Sequence, residues 1–458
     1  MFIFSRRKWC TFKRIILFLV ILCNFRLIIW LSSNETILRN GQLKALFSSG
    51  RNFLDNNVHM PTAQPNCSVQ NSSDEDEESC FLKNKLLCEF MPTIHSVFAD
   101  YRENRVVFIG ITYFGNNWST KSFLCEFPNG NRTVTDAILN DGRSFGATPQ
   151  YVLVITCPFP DEFLNSSFFS QQRFYINLRR KELPSVAYVK IPICASHKTL
   201  NEKKKHSLII CTMAKDMDHF FPTWLDFHLH IGVDHVYIYD NSKRGSLSNA
   251  LSRYLANGFV SVIPWAHEHT PWKTYLEVQI AHENDCVWRN KHTSEWIIKI
   301  DVDEFLQPMN PDKPYITDYI NNYTLTNIGC LKVQSWFFGS NVQNWNSMTV
   351  IENNRWRVKA PTAVNKGRDK CIIKPKNVHY FKIHHIKLGG DTLTLDPYNE
   401  LRLAHYRSSN PIHRRFHLNY SVKDLSVLRI WKQINDCKRH DIECMNLDRK
   451  WSSKIAEN

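Results

Sequence analysis

Glu295-Trp-Ile-Ile-Lys-Ile-Asp-Val-Asp-Glu-Phe-Leu306 is the stretch that decides the fold. Its apolar run, Trp296 to Ile300, has the alternating bulk of a buried strand and stops abruptly in three carboxylates, Asp301, Asp303 and Glu304. In open α/β sheets ligands sit beyond the carboxyl ends of the strands, so acids placed there face a crevice rather than the core. A hard divalent cation such as Mg²⁺ or Mn²⁺ takes one or two carboxylates together with substrate phosphate oxygens. Asp-x-Asp alone also describes a solvated turn. Its position directly behind a buried strand brings the metal reading level with that one. Glu304 either joins its neighbours or points inward, where it needs a basic partner.

Working upstream, strands alternate with helices. Ser207 to Met213 is a short apolar strand, and Phe221 to Gly232 is a helix stopped by glycine. Val236 to Tyr239 is a strand ending in Asp240-Asn-Ser. Leu247 to Asn257 is a second helix with Gly258 as its stop, Phe259 to Ile263 a strand, and Tyr275 to Asn290 a long helix. This order predicts an α/β fold with a mainly parallel sheet flanked by helices over residues 206–458. The acids at two strand ends, Asp240 and Asp301/Asp303, should line one edge. Downstream, Gly329 to Phe338 reads as a strand, followed by an aromatic, Asn-rich stretch through Trp345. Lys370 to Lys376 is a basic strand end, and Val378 to Lys387 carries His379, His384 and His385. The segment Leu403-Ala-His-Tyr-Arg407 comes last, and there is no internal repeat.

The rest of the chain sets an address. Of 458 residues, the first fourteen form a basic tail, and Ile15 to Leu31 is an apolar segment interrupted by Asn24 and Arg26. At about 1.5 Å per residue this segment is about 25 Å long, short for a bilayer unless Arg26 snorkels to the interface. A cleaved signal peptide is the alternative, but no Ala-x-Ala site follows, and an uncleaved anchor is expected. Residues 32–88 are polar and acidic and read as a stem. Residues 89–200 hold short β-rich segments separated by turns, a small β-sandwich of its own. Asn-x-Ser/Thr sequons start at Asn34, Asn66, Asn71, Asn117, Asn131, Asn165, Asn322 and Asn419. Twelve of the fourteen cysteines follow the anchor, an even number compatible with disulfides, and Cys437 and Cys444 suggest a local loop. They form no paired Cys-x-x-Cys zinc set. The net charge of +14 is dispersed, with Lys203 to Lys205 a short isolated basic run, so a nucleic-acid track is not expected.

Taken together, Ile210-Cys-Thr-Met, the Trp224 to His230 helix, Tyr237-Ile-Tyr-Asp240-Asn-Ser242, Ile300-Asp-Val-Asp303-Glu-Phe305 and Leu403-Ala-His-Tyr-Arg407 resemble glycosyltransferase family 92 over residues 206 to 410. The resemblance implies a GT-A-like nucleotide-sugar-binding fold and transfer of galactose from UDP-galactose onto a glycan acceptor, with an inverting mechanism expected. It implies Mn²⁺ or another divalent cation held by Asp303, with Asp301 assisting or contacting the ribose, and with His405 completing the shell. By the same resemblance Asp240 accepts hydrogen bonds from uracil or ribose, although a turn-capping role accounts for it equally. Lys374 and Arg407 would supply positive charge to the diphosphate, and Lys374 also reads as a surface lysine. Trp336 and Trp345 are either core aromatics or sugar platforms.

Glu352, Asp369 and Asp391 are candidates for the base that activates the acceptor hydroxyl, and the spacing selects none of them. The expected location is the Golgi or another secretory membrane, single-pass type II with the catalytic part lumenal. The competing reading is a catalytically inactive, membrane-anchored ectodomain that binds a glycan or protein.

Overall fold

The computed structural model describes residues 66–68, 86, 91–113, 122–139, 150–169, 171, 173–194, 204–242, 247–265, 275–339, 349–406 and 419–439. The tail, the apolar segment 15–31 and most of the stem lie outside the described residues. Among the described residues no helix is long and apolar enough to cross a membrane. All of them belong to one compact unit, Pro65–Asn458.

The chain is mixed α/β. In the second half, strand β1 (His206–Ala214), helix α1 (Phe221–His230), β2 (His235–Asp240), α2 (Ser248–Ala256), β3 (Val260–Pro264), α3 (Tyr275–Arg289) and β4 (Ser294–Lys299) follow in turn. β3, β2, β1 and β4 pair side by side in parallel. Their apolar runs are nearly continuous because both faces of the sheet are covered, which removes the alternation of a half-exposed strand. Gly232 and Gly258, both at positive φ, end the first two helices as their sequence positions predict.

Beyond β4 the direction changes. β5 (Glu304–Pro308) leaves the sheet, while β6 (Ile328–Val333) and β7 (Ser335–Gly339) divide the run expected as one strand between two sheets. β8 (Lys370–Ile373) inserts antiparallel between β4 and β6, and β9 (Asp391–Thr394) pairs with β6 at the margin. The seven-stranded order is therefore β3-β2-β1-β4-β8-β6-β9. β10 (Leu401–His405) pairs antiparallel with β5 and parallel with β7 in a second sheet. Val378–Lys382 and His385–Gly389 form a separate hairpin, turned at Ile383 with φ 52°.

Residues 93–194 build two sheets, one of Thr93–Asp100, Arg105–Tyr113, Gln150–Pro158 and Ile138–Leu139, the other containing Ser122–Glu126, Arg132–Asp136, Arg173–Arg180 and Ala187–Cys194. They enclose a shared apolar core, and the Cys125–Cys157 disulfide links them. The outer face of the first sheet does not stop at solvent. Val107, Ile109, Val152 and Val154 join one apolar cluster with Val278, Ala281 and Ile297 from α3 and β4. The β-rich part thus shares a core with the α/β part. Cys211–Cys286 ties β1 to α3, and Cys330–Cys371 ties β6 to β8. Cys444, suggested as partner of Cys437, lies outside the described residues.

Helix α1 fixes where β5 begins. It is buried nearly all round, from Phe221 to Leu229. Trp224 Nε1–H donates to the Glu304 carbonyl at 2.8 Å, and His228 Nε2 accepts the Leu306 N–H at 3.2 Å. His228 Nδ1 contacts the Trp224 carbonyl at 2.8 Å, so both ring nitrogens are used and the imidazole is neutral. Burial pushes its pKa down to about 3, against the Trp224 hydrogen bond.

Candidate functional site

The stretch that ends β4 turns tightly, with the Glu304 N–H donating to the Asp301 carbonyl at 3.0 Å. Glu304 opens β5 and is paired in register with His405, the last residue of β10. Strand pairing therefore brings two residues a hundred positions apart to one place. His405 Nε2 lies 3.6 Å from Asp303 Oδ2, and its Nδ1 lies 3.4 Å from Glu304 Oε1. Burial would lower the imidazole pKa, but Asp303 and Glu304 together hold it above the ordinary value. The Asp303 carbonyl also accepts the Tyr406 N–H at 2.9 Å, which fastens the end of β10 to the acidic turn.

Asp301 sits differently. Lys299 Nζ approaches Oδ1 at 3.0 Å and Lys370 Nζ approaches Oδ2 at 2.7 Å, while 42% of the side chain remains exposed. Desolvation would raise the carboxyl pKa, yet the two lysines hold it well below the usual carboxylate range. Lys299 also faces the buried Glu283 of α3 at 3.4 Å. Lys370 reaches Glu304 Oε2 at 2.9 Å. Burial would lower the Lys370 pKa, but Asp301 and Glu304 keep it raised, so the ammonium stays charged. Burial pushes the Glu304 carboxyl up, and Lys370 opposes this only in part. The basic partner that an inward Glu304 requires is thus Lys370.

The other site residues named from sequence separate into groups. Asp240 emerges at the same carboxyl edge, with Oδ1 accepting the Ser242 N–H at 2.9 Å, which is the turn-capping geometry. Arg407 and Trp345 lie outside the described residues. Lys374 is not gathered with Asp301. β8 runs antiparallel to β4, so Lys374 falls beside Trp296, with Nζ 5.6 Å from that ring's centroid and 3.8 Å from Glu295. That level is about 16 Å back along β4 from Asp301, at about 3.3 Å per residue. Lys370, which opens β8 four residues earlier, is the lysine at the acids. Lys299 and Lys370 were missed because lysine inside a strand reads as a surface residue until register is known.

Trp336 is 1% exposed, with Arg357 and Arg402 against its ring at 4.8 and 5.1 Å, and belongs to the core. Glu352 is the N3 residue of a capping box with Thr349. Asp391 is exposed and begins β9 level with Ile328, at the amino end of β6 and so at the opposite edge. Asp369 stands on the correct edge, but it is buried and 2.8 Å from Lys332. Burial would raise its carboxyl pKa, and Lys332 brings it below the usual range.

Among the described residues, the three-residue group whose metal-competent atoms all lie within 4.8 Å of one another is Asp100, Glu103 and His292. Those carboxylates already pair with Arg105 and Lys291, at the amino end of β4. At the carboxyl edge the gathered pair is Asp303 and His405, with Asp301 turned to its lysines.

Comparison with known proteins matches the same half of the chain. The family model described as glycosyltransferase family 92 matches residues 206–445, which include every residue of this edge. A glycosyltransferase family 92 protein of Ricinus communis is 26% identical over 246 residues, covering 51% of this chain and 42% of the relative. One of Oryza sativa subsp. japonica is 30% identical over 202 residues, covering 41% of this chain and 31% of the relative. A beta-1,4-galactosyltransferase of Caenorhabditis elegans is 21% identical over 158 residues, 34% of this chain and 35% of that protein. The chain spans less than half the length of these curated relatives.

Proposed function

Because this chain belongs to glycosyltransferase family 92, we propose that it moves a sugar, galactose from UDP-galactose, onto a glycan acceptor with the help of a divalent cation. The observation that carries the reading is the convergence of Asp303 and His405 at the carboxyl edge, 3.6 Å apart and flanked by Asp301, Lys299 and Lys370. One carboxylate and one imidazole suit a borderline ion such as Mn²⁺, with diphosphate oxygens filling the remaining positions. When bound there, the ion would offset the charge that develops on the departing diphosphate.

The chain's own residues divide the remaining work. Asp301, oriented by two lysines and partly open to solvent, would accept hydrogen bonds from the donor ribose. Lys299 and Lys370 keep the edge from becoming a bare cluster of acids, which would repel a diphosphate. Asp240 would lie against the uracil or ribose at the neighbouring strand end. Galactose is supported by the Caenorhabditis elegans relative, a beta-1,4-galactosyltransferase, and a beta linkage made from an alpha-linked donor is inversion. The alternating strands and helices that end in acids support a GT-A-like fold. The basic tail, the apolar segment 15–31 and the sequons support a Golgi, single-pass type II location.

A panel of UDP-sugars incubated with the purified protein and a glycan array, with and without Mn²⁺, tests the reading. UDP-galactose turnover that requires the ion is expected. Failure of every UDP-sugar to bind by calorimetry in the presence of Mn²⁺ would overturn it.

A further inference from the structure

Glu304 has no task yet in the proposed site. It is 1% exposed, and a buried carboxylate is costly unless its oxygens are engaged. Oε2 is engaged twice, by Lys370 Nζ and by the Asp301 backbone N–H, each at 2.9 Å. Oε1 faces His405 Nδ1 across 3.4 Å. Among the described residues no hydrogen-bond partner is aligned with that buried nitrogen. The opposite side of the ring presents Nε2 to Asp303, and Phe337 packs against the imidazole with centroids 5.1 Å apart. Carboxylate, imidazole and carboxylate thus stand in series, and the first two are held there by cross-strand register.

We infer that Glu304 is a positioning residue for His405: its carboxylate takes the Nδ1–H, which leaves the Nε2 lone pair directed at the divalent cation shared with Asp303. The inference rests on the proposed metal role of Asp303 and His405. A metal-bound imidazole ordinarily donates its other N–H to a carboxylate or carbonyl, and loss of that partner weakens metal binding roughly 10–100-fold. Lys370 completes the device. By holding Oε2 from behind, it leaves Oε1 for the ring. The third acid of the motif therefore acts one step behind the cation.

The test is Mn²⁺ titration of the full chain by electron paramagnetic resonance in the presence of UDP, with pulsed measurement of the imidazole nitrogen coupling. Wild type, Glu304→Gln, Glu304→Leu, His405→Ala and Asp303→Asn are compared. The expected result is a nitrogen coupling in wild type that His405→Ala abolishes. Glu304→Gln, which keeps an acceptor oxygen, should weaken Mn²⁺ binding by about tenfold and alter the coupling, and Glu304→Leu should weaken it by up to about a hundredfold. Wild-type affinity in Glu304→Gln, alongside lost affinity in Asp303→Asn, would overturn the inference while leaving the metal site standing. Weakened affinity with an unaltered coupling would also overturn it, since that marks a purely structural role. Wild-type affinity in Asp303→Asn would remove the metal site itself. Glu304→Gln keeps the test decisive if Glu304→Leu fails to fold.

Discussion

Lys370→Met removes the cation that two carboxylates share. Its ammonium lies 2.7 Å from Asp301 and 2.9 Å from Glu304, and the side chain is 5% exposed. The two carboxylates lose unequally. Asp301 keeps Lys299 at 3.0 Å and has much of its surface in water, so its share is small. Glu304 is deeply buried and keeps only the Asp301 N–H and the contact to His405. Removing one partner of a buried ion pair costs about 3–5 kcal/mol, and one surviving hydrogen bond places this case near 3 kcal/mol. The methionine side chain is close in volume to lysine, so cavity formation adds little. The assay is urea unfolding followed by tryptophan fluorescence, run as a double-mutant cycle with Glu304→Gln. The double variant should regain at least half of the loss, because the uncompensated charge is gone. A loss below about 1 kcal/mol, or strictly additive effects, would refute the claim that Lys370 neutralises Glu304.

Three further outcomes follow from the geometry. His228 is neutral in the folded protein with its pKa pushed down to about 3, so between there and the ordinary value of about 6.5 the unfolded chain binds a proton that the folded chain does not. Its stabilisation is complete above about pH 6.5 and falls by about 1.4 kcal/mol per pH unit below it; unfolding of His228→Gln between pH 4 and 7 should show a slope shallower by one proton, and an unchanged slope counts against the buried neutral ring. Lys374→Ala should leave donor turnover within about twofold of wild type, since the residue stands just past the other end of β8, whereas Lys299→Met should lower it; the reverse order in a kcat/KM comparison would contradict the register. The Cys211–Cys286 disulfide closes a span of 75 residues, for which chain entropy gives about 4.5 kcal/mol, and Cys211→Ala with Cys286→Ala should lose about that much in urea unfolding.

The sequence discloses element type well where both faces of the sheet are covered. Trp296 to Ile300 is a strand because every neighbour is apolar, and the acids must then fall at its carboxyl end. Gly232 and Gly258 mark helix ends because only a left-handed residue turns the chain there. Register and strand direction are another matter. Lys370 and Lys374 differ by four positions in a basic strand, and only antiparallel pairing with β4 decides which one meets Asp301. The run from Gly329 to Phe338 hides a change of sheet at Gln334, whose side chain donates to the Thr362 carbonyl while its own carbonyl accepts from Leu403. Both strands are buried, so hydrophobicity carries no mark of the break. Glu304 was legible as an acid in need of a base, but the base arrives from a strand 66 residues later.

The most direct measurement of the central claim is UDP-galactose turnover in Mn²⁺ by the wild-type protein and by Asp303→Asn, at equal folded concentration. The convergence of Asp303 and His405 at the carboxyl edge predicts a loss of at least about a hundredfold in the variant. Full activity in Asp303→Asn would contradict it.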